Sequence, residues 1–234
     1  DCHILLAPQV PFPQHQVGNV VIGWVHCKLV HSTHAAVGGF HASATAHGKL
    51  TRTLAHPAYT FRKKLSHTAD SQNQRHRTTP ASRPVLALQV DGDPDYVMPE
   101  LIRRDAECAR RFSAAMERSW EGMARLRTLG VCPEFVLYLL PNAVAIRFTE
   151  SADLLNLRHK LAMRLCYNAQ EEIWRASLEE AQQVRAVHPR VGAYLLPPCG
   201  HRLLGGERPI CPEGPRFCGV PVWKLDLNDF ERVF

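Results

Sequence analysis

Three groups of residues have types and spacings suited to chemistry. The first is Gln72-Asn73-Gln74-Arg75-His76-Arg77, followed by Ser82-Arg83. Guanidinium groups bind phosphate oxygens through paired hydrogen bonds, so these arginines, with the hydroxyls of Thr78, Thr79 and Ser82, suit a phosphorylated ligand. The same residues also fit a solvated loop whose arginines pair with surface carboxylates. The second group runs from Leu157 to Cys166 and on to Ala169-Gln170-Glu171-Glu172-Ile173. On a helix, His159 and Arg164 lie about 140° apart, so they would meet two ligands or two parts of one. An amphipathic helix with exposed charges is the alternative. The third group is Cys199-Gly200-His201, Cys211-Pro212-Glu213-Gly214 and Cys218-Gly219. Three thiols and an imidazole can make a tetrahedral zinc set from Cys199, His201, Cys211 and Cys218, although the long intervals lack a Cys-x2-Cys hook. Free thiols packing a loop are the alternative there.

These residues need elements to position them. Strands are expected over residues 20–30, 58–65 and 144–149, with a polar stretch over 66–83 closed by Pro80 and Pro84. After Pro99, apolar residues from Leu101 to Leu126 recur mostly three or four apart and predict one long helix that stops at Gly130. Pro133 suits the first turn of a short helix reaching about residue 140. Ser151 is the expected N-cap of a third helix, with Asp153 in its first turn and Leu154, Leu157, Leu161, Leu165, Ala169, Ile173 and Leu178 on its buried side. From Pro197 to Trp223 the Gly-, Pro- and Cys-rich tail reads as a loop held by something other than regular structure.

Composition sets the bounds. The chain has 234 residues, 45% of them hydrophobic and 21% charged, which suits one large domain or two small ones and excludes whole-chain disorder. No run of about 18 apolar residues is present, so no membrane-spanning helix is expected. The net charge of +6 is uneven: the first 70 residues hold six Lys/Arg, nine of the thirteen histidines and only Asp1 and Asp70 as acids. Most of the surplus thus belongs to the N-terminal part, and nucleic acid is not the expected partner. Residues 1–50 read as a poorly defined, basic, His-rich lead-in: an irregular β-rich segment, a linker remnant or an incorrectly translated start. Residues 51–234 read as the main domain. With eight cysteines and no secretory signal, a reducing cytoplasm is the expected location.

In order, residues 55–219 resemble the flavin-dependent thymidylate synthases. The resemblance rests on His56-Pro57-Ala58-Tyr59-Thr60-Phe61, Arg75-His76-Arg77, Ser82-Arg83, Pro133-Glu134, Leu140-Pro141, the segment 153–157, Arg164 and Ala169-Gln170-Glu171-Glu172-Ile173. It implies a mixed α/β (α+β) fold, with a small, mainly antiparallel sheet packed with long helices, and homotetramers whose sites lie between subunits. It implies reductive methylation of dUMP to dTMP, with FAD as cofactor and NADPH and methylenetetrahydrofolate as co-substrates. By position, Gln72, Arg75, Ser82, Arg83 and Arg164 would hold the nucleotide, and Arg75, His76, Arg77, Asp153 and His159 the flavin. Arg164 would also be the catalytic residue, stabilising negative charge on the uracil ring.

The sequence departs from the family pattern at four places. Only Thr78-Thr79-Pro80-Ala81 separates Arg77 from Ser82, a shorter span than the family's, and Leu137 stands where an arginine would help hold the nucleotide phosphate. Ala55 replaces a glutamate, and Leu155 the arginine of an Asn-x-Arg element. Two readings follow: a divergent enzyme, or a catalytically degenerate synthase-like domain with a structural or binding role beside an active copy.

Overall fold

The structure, a computed structural model, describes residues 21–24, 51–89 and 92–232. Strands β1 (Val21–Trp24) and β2 (Ala58–Ser66) pair antiparallel, with Val21 opposite Arg62. After β2 come helix α1 (His67–Asn73), the two-residue strand β3 (Ala81–Ser82) and the single turn α2 (Leu86–Gln89). Helices α3 (Glu100–Arg103), α4 (Ala106–Thr128) and α5 (Pro133–Val136) lead to β4 (Ala145–Asp153). Then follow α6 (Leu154–Arg164), α7 (Glu171–Val187), α8 (Pro189–Gly192) and α9 (Pro198–Leu204). The sheet is antiparallel throughout, in the order β1-β2-β4-β3. This is the mixed α/β architecture expected, a small antiparallel sheet packed with long helices. The rest of the lead-in, including residues 25–30 of the expected strand, lies outside the described residues.

Several expected elements are divided differently. The polar stretch contains α1, because Ser66 accepts a hydrogen bond from the Ala69 amide and starts a helix that its polar composition concealed. The long helix is two, since Asp105 caps a fresh start at α4 by accepting from the Cys108 amide. Ser151 is not a cap: it stays in β4 opposite Thr60, their hydroxyls 2.8 Å apart, and Asp153 instead caps α6 by accepting from the Asn156 amide at 2.8 Å. The third helix breaks after Arg164. Trp174 Nε1 donates to the Leu165 carbonyl at 3.2 Å, and Gln170 caps α7 through the Ile173 amide. Apolar steps of three to five residues cannot reveal such a break, because the buried side continues across it. In the tail, residues 198–204 form α9 where a loop was expected, with Pro198 in its first turn.

The main core lies between the sheet and α6 and α7, and includes Phe61, Phe148, Leu157, Leu161, Leu165 and Trp174. A smaller cluster of Trp120, Met123, Val136 and Val144 lies under α4, with Leu137 partly buried against it. Strand alternation sends Tyr59, Phe61, Lys63 and Leu65 inward from β2, and Ile146, Phe148, Glu150 and Ala152 inward from β4. Two charges therefore enter the core, placed diagonally across the pair because Lys63 is opposite Phe148 and Phe61 opposite Glu150.

Both find partners. Lys63 Nζ lies 2.9 Å from Glu150 and also bonds Glu180 of α7, while Lys160 of α6 bonds Glu150 and sits 2.9 Å from Glu180. None of the four side chains is more than 1% exposed. Burial opposes the charge on Glu150, but Lys63 and Lys160 outweigh it and hold its pKa down to about 2. Two lysines and two glutamates thus close a neutral ring joining β2, β4, α6 and α7. Replacing one member leaves an unpaired buried charge. Lys160→Met is expected to cost about 3–5 kcal/mol in urea unfolding, and adding Glu180→Leu should recover part of that loss. An unchanged unfolding midpoint in the single variant would contradict the ring.

Candidate functional site

The ring also reaches the motif region. Asn73 Nδ2, in the last turn of α1, donates to the remaining oxygen of Glu150. At the other end of α1, Glu172 of α7 accepts from the Ser66 amide and hydroxyl, each at 2.6 Å. Burial raises the Glu172 pKa even though those two donors oppose the shift. On the flank of α1, buried Asp70 receives both Nε and Nη2 of Arg83, with Nε to Oδ2 at 2.8 Å, and Gln74 at 2.8 Å. The guanidinium of Arg83 also lies over the Phe148 ring, 4.9 Å from its centroid. A seven-residue helix is thereby held by charged groups at both ends and one side.

That helix delivers Gln72, Arg75, His76 and Arg77 to the C-terminal end of α6. Arg164 Nη2 donates to the Gln72 carbonyl at 2.6 Å, and its Nε donates to His76 Nε2 at 3.0 Å. His159, one turn back on α6, faces His76 edge-on with ring centroids 6.1 Å apart. Burial, then Arg164, Lys160 and His159, push the His76 pKa down to about 4. His76 is therefore neutral near pH 7, carrying its proton on Nδ1 and accepting at Nε2. Burial, with Arg75 nearby, lowers the Arg164 pKa. Arg75 and Arg77 are exposed, and neither guanidinium has an ion pair among the described residues. The result is a cationic surface of Arg164 and Arg75 with two imidazoles beside it and exposed Arg77 next along the loop, suited to an anionic ligand with a flat ring system.

The shortened loop closes tightly. Thr79 bonds the His76 carbonyl through its amide and its hydroxyl, and the Pro80 carbonyl accepts from the Ser151 amide at 2.9 Å. These bonds carry Ala81–Ser82 onto the edge of β4, with Ser82 opposite Thr149.

Of the residues singled out in the sequence, the structure gathers Gln72, Arg75, His76, His159 and Arg164, with Arg77 next along the loop. Asp153 stands apart from them: it caps the opposite end of α6, about 16 Å from Arg164 along the helix at 1.5 Å per residue. Arg83 is turned to Asp70 rather than outward. In the tail, Cys199, Cys211 and Cys218 line one cavity, but His201 does not. Its Nδ1 lies 3.3 Å from Arg158 Nη2, and burial with Arg158 pushes its pKa down to about 4. The structure does not gather the expected Cys199–His201–Cys211–Cys218 set among the described residues: the imidazole turns Nδ1 to α6, and its buried Nε2 has no hydrogen-bond partner there. The residues that sequence reasoning missed are Asp70, Asn73, Glu150, Lys160, Glu172 and Glu180. Their signal was charge at inward positions, such as Lys63 and Glu150 on alternating strands and Lys160 between Leu157 and Leu161.

The depressed pKa of His76 makes stability depend on pH. The unfolded chain takes up the proton near pH 6.5 and the folded chain only near 4, so stability present above pH 6.5 is lost as pH falls toward 4. His201 acts in the same direction. His76→Gln, which retains an acceptor for Arg164, should reduce the drop in urea midpoint between pH 7 and pH 4.5. An unaltered drop would show that His76 is not the neutral acceptor.

Residues 26–190 match the family described as thymidylate synthase complementing protein. The flavin-dependent thymidylate synthase of Thermococcus kodakarensis is 30% identical over 194 residues, covering 77% of this chain and 75% of that protein. Those of Sulfurisphaera tokodaii and Pyrococcus abyssi are 30% and 28% identical over 62% and 69% of this chain. The chain spans 57% and 70% of their respective lengths. Among solved structures, a UMP/dUMP methylase from Streptomyces cacaoi, bound with 5-Br UMP, matches with a TM-score of 0.61 at 16% identity. That match covers 82% of this chain and 97% of the other, and it shows a shared fold.

Proposed function

The chain belongs to the thymidylate synthase complementing protein family, and on that premise we propose that it binds FAD and dUMP and methylates the uracil ring reductively, with methylenetetrahydrofolate and NADPH as co-substrates. The observation that carries this reading is the meeting of Arg164, His76 and the Gln72 carbonyl at the end of α6, beside unpaired Arg75 and Arg77. The donor set fits the flavin, since exposed guanidinium groups suit its diphosphate and the imidazoles can border its ring. When bound, the flavin supplies hydride transfer, which no side chain here can perform.

The chain's own residues bind and orient. Arg75 and Arg77 offer paired donors to phosphate oxygens. Arg164, held in direction by neutral His76 and the Gln72 carbonyl, presents its remaining N–H groups toward a uracil oxygen. A fixed cation there stabilises the negative charge that makes the ring carbon nucleophilic, without a protein nucleophile. His159 borders the same surface, and Gln72 and Ser82 are further candidates for nucleotide contact. The domain is assigned to residues 51–234, with β1 of the lead-in added to its sheet. A second copy of the chain, in a homotetramer, would cover the exposed arginines. Among the described residues no helix is long and apolar enough to cross a membrane. The six described cysteines are free, in keeping with a cytoplasmic location.

The degenerate-domain reading has its own support. Arg83 is paired with Asp70, though a quarter exposed, and Leu137 is uncharged and packed under α4, so neither of these two positions offers a free cation to a nucleotide phosphate. The two readings separate in one experiment, a dUMP titration of flavin-reconstituted protein combined with tritium release from uracil C5. The enzyme reading expects both binding and release, and Arg164→Ala should weaken dUMP binding at least tenfold, as loss of a buried charged contact does. Its unfolding free energy should fall by only about 1 kcal/mol. Flavin binding without dUMP binding or tritium release would leave the degenerate domain, and failure to bind flavin would overturn both.

A further inference from the structure

A second site stands apart from the arginine surface. Cys166, just past the end of α6, lines the same cavity as Cys199 of α9 and as Cys211 and Cys218, which flank the 3-10 turn Gly214–Arg216. These thiols come from three separate parts of the chain. Cys166 lies within electrostatic range of Cys211 and Cys218, and Cys199 within range of Cys211 and Cys166. The cavity has a volume of about 20 Å³, enough for one water-sized sphere and too small for an organic ligand. Its other walls include Pro197, Pro198, Phe217 and Trp223, with Tyr167, Asn168 and Glu213 as the polar side chains beside the thiols.

The surrounding backbone is built for a tight wrap. Gly214 and Gly219 adopt φ of 54° and 82°, turning the chain after the Cys211-Pro212-Glu213 and Cys218 positions. Asn168, two residues beyond Cys166, ties this segment to the helices by donating to the Arg216 carbonyl at 2.7 Å. Between α9 and residue 225 the only regular structure is single 3-10 turns, so hydrogen-bonded ladders do not hold the segment.

We propose that Cys166, Cys199, Cys211 and Cys218 form a structural zinc site that staples the C-terminal tail to the junction of α6 and α7. In the structure no three such side chains among the described residues are already gathered as a metal set, and all four thiols are free. Binding therefore draws the sulfurs inward from the walls of a one-ion cavity to Zn–S distances of about 2.3 Å. Zn²⁺ replaces four thiol protons, which pass to solvent, with no change of oxidation state. This set differs from the one expected in the sequence by exchanging His201 for Cys166, and it does not depend on the flavin and nucleotide reading.

The test uses the full chain purified without chelator. About one zinc per chain is expected, and cobalt(II) in its place should give the near-ultraviolet thiolate-to-cobalt absorption of a tetrahedral sulfur site. Cys166→Ser should lower retained zinc at least tenfold, whereas His201→Ala should keep it. Should the serine variant not fold, pulse alkylation of the native chain gives the same answer. Cys166, Cys199, Cys211 and Cys218 should be protected until a chelator is added, while exposed Cys108 and Cys132 label throughout. Absence of zinc with no cobalt–thiolate band, metal retention unaffected by Cys166→Ser, or labelling of these four cysteines equal to that of Cys108 and Cys132 would each overturn the proposal.

Discussion

A helix of seven residues gains too few hydrogen bonds to repay its nucleation, so α1 stands only because its surroundings hold it. Those surroundings are electrostatic. Glu172 takes the donors of Ser66 at its start, Glu150 takes Asn73 at its end, and Arg83 grips Asp70 along its side. Glu150 can do this because Lys63 and Lys160 keep it ionised in the core, and Glu180 balances the second lysine. Half of the candidate site follows from that placement, since Gln72, Arg75, His76 and Arg77 lie at or just beyond the end of α1, facing Arg164 and His159 of α6.

Buried ion pairs of this kind cost desolvation energy and are poor sources of net stability, yet removing one partner is severe. The ring is therefore understood better as a device for position than as a source of stability. It joins two strands and two helices at one point, and it sets Arg164 on α6 against His76 on the loop after α1. The same economy explains Arg83. By bonding Asp70 it contributes to holding α1, and it remains a quarter exposed. Leu137 follows a similar course, serving the small cluster under α4. Arg75 and Arg77 are the exposed arginines of the loop that follows α1.

Much of this was legible in order along the chain. Aromatic and β-compatible residues marked β2, a short strand was expected at the start of β4, and the leucine spacing marked the buried side of α6 and α7. The ordered motifs marked Arg75, His76 and Arg164. What escaped was decided by contacts distant in sequence. Nothing near Ser66 announces that Glu172 will cap it, nor does the neighbourhood of Lys160 reveal two glutamates waiting in the core. The break after Arg164 is held by an indole nine residues beyond Leu165, and His201 turns its Nδ1 toward an arginine on α6. Local pattern reports which face is buried; it does not report which buried charges meet.

The buried ring fixes α1 and, through it, the meeting of Arg164 with the loop. A double-mutant cycle in urea unfolding tests this directly, using Glu150→Gln, Arg164→Ala and the pair. Because Glu150 bonds Asn73 and Arg164 bonds the adjacent Gln72 carbonyl, the two changes should be non-additive by more than about 0.5 kcal/mol. Additivity within that margin would show that the ring and the arginine act independently, and would contradict the account.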